Sequence, residues 1–242
     1  MMRSGRLGTA GAFAVVSFLA LLGTAAVAGQ QPDSTRVIRA VDAAVKARID
    51  GIAKYTVTEH YAVYRNDDET HPAAEMTVKT EYLPETGKNY TILSQSGSAI
   101  IRHLVLGAIL DAEKSINLPG NREQSWLTST NYQMQLKPGG VQRLDGRECL
   151  ALAIIPRHKA PNMIEGTLWV EAEDGSIVRI EGIASQSPSV FTGPAQVMRQ
   201  YANVNGFAMA THAHAVSNSF MFGRTTVTID YQNYQIQLRS AK

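Results

Sequence analysis

The chain has 242 residues, with 23 Lys and Arg against 21 Asp and Glu, 44% hydrophobic residues and one cysteine. This balance leaves no electrostatic footprint for nucleic acid. A single cysteine also excludes an internal disulfide, a Cys-x-x-Cys redox centre and a four-cysteine zinc site, so stability must come from an apolar core.

Arg3 and Arg6 precede an uncharged apolar stretch centred on Phe13-Ala-Val-Val-Ser-Phe-Leu-Ala-Leu-Leu22, and Ala26-Val27-Ala28 follows as a small-x-small cleavage site. This is the pattern of a secretory signal peptide over 1–28. Cleavage before Gly29 removes two of the basic residues, and the mature domain, 29–242, becomes close to neutral. The strongly apolar part is shorter than a spanning helix needs, and no cysteine at the cleavage site offers a lipid anchor. The expectation is a soluble, exported protein.

After the short tether Gln30-Gln-Pro-Asp-Ser34, Ser34 or Thr35 is positioned to cap a helix. Val37, Ile38, Val41, Ala44, Val45 and Ile49 recur at helical spacing up to Gly51. From Tyr55 the period changes to two. Tyr55, Val57, Tyr61 and Val63 share a strand face, with Glu59 interrupting it. Asn66-Asp67-Asp68 ends that strand, and Met76, Val78, Thr80 and Tyr82 form the next face. Tyr90-Thr-Ile-Leu93 continues the pattern.

Ser98 can cap a second helix, Ala99 through Lys114. At a regular α-helical period, Ile100, Ile101, Leu104, Val105, Ala108 and Ile109 share one side. Leu106 and Leu110 fall on the opposite side, among Arg102, His103, Glu113 and Lys114. Two roles are open: a helix buried on both sides, or a lid over an apolar cavity with Leu106 and Leu110 facing a ligand.

Beyond Pro119-Gly120 the spacing predicts strands near 130–137, 147–156, 163–172, 176–184, 195–204, 207–217 and 223–238. Pro138-Gly-Gly140, Asp145-Gly146, Asp174-Gly175 and Asn205-Gly206 supply the turns. Cys149 falls in one of these strands as a buried structural thiol. The predicted fold is α+β in a single domain. It is one curved, open antiparallel sheet of about ten strands, with two helices in its concave side. The period-two pattern turns Val57, Tyr61, Met76, Val78, Met134, Leu152, Leu168, Val170 and Ile229 inward, where with Leu106 and Leu110 they are the candidate ligand-binding residues.

Catalytic motifs are weak. No Gly-x-Ser-x-Gly elbow and no phosphate-binding glycine loop is present. His212 and His214 have ligand-compatible spacing on one strand face, but a metal site needs a third ligand, which Asp230 or His60 would supply only if the sheet brought them close. Asp67-Asp68-Glu69 with His71 reads as a solvated turn, and Glu171 and Glu173 as an exposed strand pair. No cofactor or enzymatic activity is expected.

Gly166-Thr-Leu-Trp-Val-Glu171 with Ile177-Val-Arg-Ile-Glu181, Tyr201-Ala-Asn-Val-Asn-Gly-Phe207 and Thr228-Ile-Asp-Tyr231 carry a resemblance. Together with the order of elements, they resemble the periplasmic lipoprotein-carrier family of the LolA/LolB type, with RseB-type anti-sigma regulators as structural relatives. The resemblance implies a monomeric half-barrel that holds lipid or lipoprotein acyl chains noncovalently in its concave face. It also implies inner- and outer-membrane handover partners, and a helix at 98–114 that moves aside. The alternatives are an exported regulatory or scaffold module of the same fold that binds a protein, and a hydrolase or metal-dependent enzyme built around His212 and His214.

Overall fold

Eighteen residues open the fold as helix α1 (Ser34–Gly51), which buries Val37, Val41 and Val45 along one stripe. Its cap is Asp33, whose carboxylate accepts the Thr35 N–H at 2.9 Å. Neither Ser34 nor Thr35, the expected caps, fills that role, because a carboxylate one residue earlier already satisfies the first free N–H. The computed structural model describes residues 33–240, apart from 67, 161, 187–193 and 220–222. The expected signal segment, its cleavage site and Asp67 lie outside the described residues. All the described residues belong to one compact unit.

Three strands follow α1: β1 (Ile52–Arg65), β2 (Ala74–Leu83) and β3 (Gly87–Gly97). A helical passage then interrupts the sheet as α2 (Ala99–Ile101), a π-helical stretch (Arg102–Gly107) and α3 (Ala108–Ile116). The expected cap is in place, with Ser98 Oγ accepting the Ile101 N–H at 3.4 Å. The remaining strands are β4 (Tyr132–Leu136), β5 (Gln142–Leu144), β6 (Arg147–Pro156), β7 (Ile164–Glu171), β8 (Ile177–Ala184), β9 (Gln196–Val204), β10 (Phe207–Ser219) and β11 (Gly223–Leu238). Eleven strands thus replace the expected ten or so. The additional one, β5, has three residues between two turns, too few to display an alternation.

All eleven join one sheet in the order β3-β2-β1-β11-β10-β9-β8-β7-β6-β4, with β5 on β6. The pairings are antiparallel, and among the described residues β3 forms one open edge while β4 and the short β5, both on β6, form the other. The fold is therefore α+β, an open half-barrel type of sheet with helices on one face.

Register explains how that face was assembled. Directly opposed residues in an antiparallel sheet project to the same side. One row runs Met76, Tyr61, Ile229, Ala213, Arg199, Ile180, Leu168, Leu152, Leu136 across β2, β1, β11, β10, β9, β8, β7, β6 and β4. Every member except Arg199 is apolar. The helices cover this face in two separate cores. Under α1 lie Leu150, Leu152, Leu168, Val170 and Ile180 with Val37, Val41 and Val45. Under the second helix lie Tyr61, Val63, Met76, Val78 and Ile229 with Ile101, Leu106 and Leu110.

Gly166 and Gly182 face each other across β7 and β8. A Cβ on Gly182 would stand 2.1 Å from the Glu165 carbonyl oxygen, and one on Gly166 2.1 Å from that of Glu181. The strands approach more closely here than side chains permit, a close backbone approach that strand glycines often mark. Gly182→Ala is expected to lower unfolding stability by about 2–3 kcal/mol, because backbone must shift to relieve the overlap. A urea midpoint within error of the parent would remove this account of the pair.

Candidate functional site

The second helix decides what the concave face presents. In an uninterrupted α-helix Leu106 and Leu110 would turn away from Ile101. The π-helical stretch widens one turn, so residues five apart come into line. Ile101, Leu106 and Leu110 consequently form the seated face, with Leu106 0% and Leu110 9% exposed. Ile100 and Leu104, expected on the apolar side, are 65% and 47% exposed. Of the expected apolar face, Ile101, Val105 and Ile109 do pack on this core, while Ile100 and Leu104 are displaced from it by the change of phase that seats Leu106 and Leu110. Leu106 and Leu110 reach down onto Tyr61, Met76 and Val78.

The remaining candidate residues are distributed between the two cores. Val57, Tyr61, Met76, Val78 and Ile229 are buried on the β1–β2–β11 side. Leu152, Leu168 and Val170 are buried under α1, and Met134 packs half-buried against them. All the strand residues among them face inward, but helix side chains occupy the space before them, and the second helix covers only the first group.

Between the two cores runs a polar belt that period-two reading passed over. Glu59 is buried and accepts a hydrogen bond from Tyr61 Oη. Glu113 on α3 takes Lys88 Nζ of β3 on one carboxylate oxygen at 2.7 Å and Arg199 Nη2 of β9 on the other at 3.9 Å. Strands β3 and β9 are five positions apart in the sheet order, roughly 24 Å in a flat sheet at ordinary strand spacing. Only a strong curl lets one carboxylate reach both cations. Glu113 therefore ties the helix across the mouth of the half-barrel.

Electrostatics in the belt follow from burial opposed by pairing. Burial alone would push the Glu113 carboxyl up, but Lys88 and Arg199 outweigh it and hold it down at about 2. Burial pulls Lys88 down, while Glu113 and Glu59 outweigh that and keep the ammonium well above the usual lysine value. The phenols of Tyr55, Tyr90 and Tyr231 are all pushed up by burial and stay protonated as donors. Two donors in this belt, Tyr90 Oη and Arg199 Nε, are buried without a hydrogen-bond partner among the described residues.

The convex face carries the histidines. His60, Asp230 and His212 stand in one register row on three adjacent strands, so the sheet does bring the expected partners together. Their side chains pair differently. His212 Nδ1 meets Asp230 Oδ1 at 2.7 Å, whereas the His60 ring turns to Thr77 Oγ1 at 3.1 Å and Glu75 Oε1 at 3.4 Å. His214 instead lines an outer depression of about 320 Å³ with Ile183, Met198 and Val216. Among the described residues no group of three or more His, Cys, Asp or Glu is placed to hold a metal ion. Asp68 is consumed by its own turn, accepting from the Thr70 and His71 N–H groups at 2.9 and 3.0 Å. Glu171 pairs with Arg147 at 3.3 Å.

No protein-family model and no curated protein matches the chain. Solved structures do. The chain is similar to an outer membrane lipoprotein-sorting protein domain from Vibrio parahaemolyticus, at 12% identity over 85% of this chain and 94% of that one, with a TM-score of 0.48. A DUF1329 family protein from Desulfovibrio piger matches at 14% identity over 83% and 93%, with a TM-score of 0.41. A LolA superfamily protein from Nitrosomonas europaea matches at 10% identity over 85% and 94%, with a TM-score of 0.40.

Proposed function

We infer that this protein is an exported, non-enzymatic carrier that takes lipid or lipoprotein acyl chains into the concave face of its sheet by exchanging them for the helix of residues 99–116. The observation that carries this reading is the seating of that helix. It covers an apolar face with Ile101, Leu106 and Leu110, while its outward side keeps Ile100 and Leu104 in water. A helix that is apolar on both sides, and widened in its middle by a π turn, is suited to leave one apolar surface for another. Arg3, Arg6 and the apolar run ahead of Ala26-Val27-Ala28 support export to the periplasm.

Magnitudes make the exchange feasible for long chains. Returning three buried aliphatic side chains to water costs on the order of 5–9 kcal/mol, at about 1.5–3 kcal/mol each. A sixteen-carbon acyl chain recovers roughly 12 kcal/mol at about 0.8 kcal/mol per methylene, and an eight-carbon chain only about 6. The gain offsets the cost at roughly six to eleven methylenes, so affinity should rise about fourfold per added carbon and become measurable within this series. Titration of saturated chains from eight to sixteen carbons checks this, and a flat series would sink the exchange mechanism.

Native mass spectrometry on protein purified from a bacterial periplasm tests the carrier reading directly. An acyl adduct lost on denaturation is expected. A clean apo mass, with one protein recovered by crosslinking in stoichiometric amount, would instead favour a protein-binding module of the same fold. The exposed Ile92 and Leu93 on edge strand β3 suit that second reading.

A further inference from the structure

We propose that the cargo carries an anionic headgroup, a carboxylate or a phosphate, which Lys88 and Arg199 bind in the place that the Glu113 carboxylate occupies when the helix is seated. This rests on the carrier reading and adds the chemistry of the ligand's polar end. Glu113 then acts as an internal substitute for the ligand head, as Ile101, Leu106 and Leu110 substitute for its chain.

Three observations carry the assignment. First, the same helix supplies both parts of the substitute in one geometry, with apolar side chains on the core and the carboxylate at its rim. An amphiphile that displaces the helix meets acyl-binding surface and cations in that order. Second, departure of Glu113 leaves the belt unbalanced. Even with Glu59 ionised and held by Tyr61, Lys88 and Arg199 leave one net positive charge. Arg199 is the one charged member of an otherwise apolar row, and on the helix side its neighbour in that row is Ala213. With its carboxylate removed, the half-buried guanidinium keeps only the phenols of Tyr201 and Tyr231 beside it, which favours entry of another anion. Third, donors are already available. Among the described residues Tyr90 Oη and Arg199 Nε are buried in this belt with no hydrogen-bond partner, so an incoming oxyanion finds more donors than Glu113 uses.

The test uses four probes with the same twelve-carbon chain: dodecanoate, dodecyl phosphate, dodecanol and dodecyltrimethylammonium. Each is titrated calorimetrically into the purified protein, its Arg199→Met and Arg199→Lys variants, and Glu113→Gln. The two anions should bind about tenfold or more tighter than the alcohol, the worth of one charge-assisted hydrogen bond. Arg199→Met should weaken that preference severalfold, to what Lys88 alone supplies, and Arg199→Lys keep most of it; an undiminished preference in Arg199→Met would remove Arg199 from the site. Glu113→Gln should tighten both anions severalfold, since the competing carboxylate is gone. The better of the two anions identifies the carboxylate or phosphate source. Equal binding of all four heads overturns the headgroup inference and leaves the carrier reading standing. Binding of none overturns both. If Arg199→Met does not fold, by circular dichroism, the head series on the parent and on Glu113→Gln decides the matter alone.

Discussion

Leu106→Asp should unseat the second helix while leaving the sheet folded. Leu106 is fully buried, packed with Tyr61, Val63, Met76 and Val78. An ionised carboxylate there has no partner, and the cost of burying it, on the order of 4 kcal/mol or more, exceeds what the helix gains by staying seated. The core under α1 shares none of those residues, so the strands β4 and β6–β9 keep their packing. The expected result is a strongly lowered urea midpoint and increased binding of a hydrophobic dye, with the far-ultraviolet strand signal retained. Leu104→Asp, at a position 47% exposed, should change stability by no more than about 0.5 kcal/mol. The ranking reports the phase of the helix. Were Leu104→Asp the damaging substitution, the helix would be running at an uninterrupted α period and the seated face assigned above would be wrong.

The second large effect is a stability that depends on acid through Glu113. The folded carboxyl lies at about 2 against an ordinary value of 4.5. A depressed folded value means that the native state holds the proton less readily than the unfolded chain does. The stabilisation is therefore complete above about pH 5 and is lost as pH falls towards 2. The gap corresponds to roughly 3 kcal/mol at neutral pH. Lys88 and Glu113 are only 11% and 23% exposed, so solvent screening trims this figure without removing it. Glu113→Gln should be less stable than the parent at pH 7 by about 2–3 kcal/mol. The two proteins should converge as the pH approaches 2, which urea titrations at pH 7, 5, 3 and 2 will follow. A difference that stayed constant with pH would mean that Glu113 contributes by packing and hydrogen bonding and not by charge.

Both effects arise where the sequence is least legible. Alternation from Tyr55 to Val63, the Asp174-Gly175 turn and the run from Ile164 to Glu181 identify strands, because a half-buried strand must repeat every second residue and a two-residue hairpin needs positive φ. Asp145-Gly146 and Asn205-Gly206 are such turns, with φ 52° and 80° and φ 53° and 87°, whereas Asp174-Gly175 lies within the five-residue connection 172–176, where Gly175 has φ 75° and Asp174 keeps negative φ. The same alternation correctly turns Tyr61, Met76, Leu152, Leu168 and Ile229 inward. It also leaves Glu59 visible as the one polar residue on an apolar strand face.

Other features depend on the three-dimensional arrangement. Arg199 sits between Met198 and Gln200 in a strand with no clear polar face, so nothing in Val197–Tyr201 marks it as inward. Its role exists only because Ala213 and Ile180 flank it in register. Lys88 and Glu113 read locally as a strand-end lysine and a helix-surface glutamate. They become a clasp only when the curl of the sheet carries β3 and β9 to opposite sides of α3. The phase of the second helix is likewise a tertiary outcome: its apolar residues outnumber what one helical face can seat, and the fit to Tyr61, Met76 and Val78 selects the π-helical phase that seats Ile101, Leu106 and Leu110. Sequence alone determined the strands, the turns and the inward face, since these follow from the local period of the chain. Tertiary structure decided which helix face is seated and which charges meet, since both depend on surfaces contributed by residues distant in sequence.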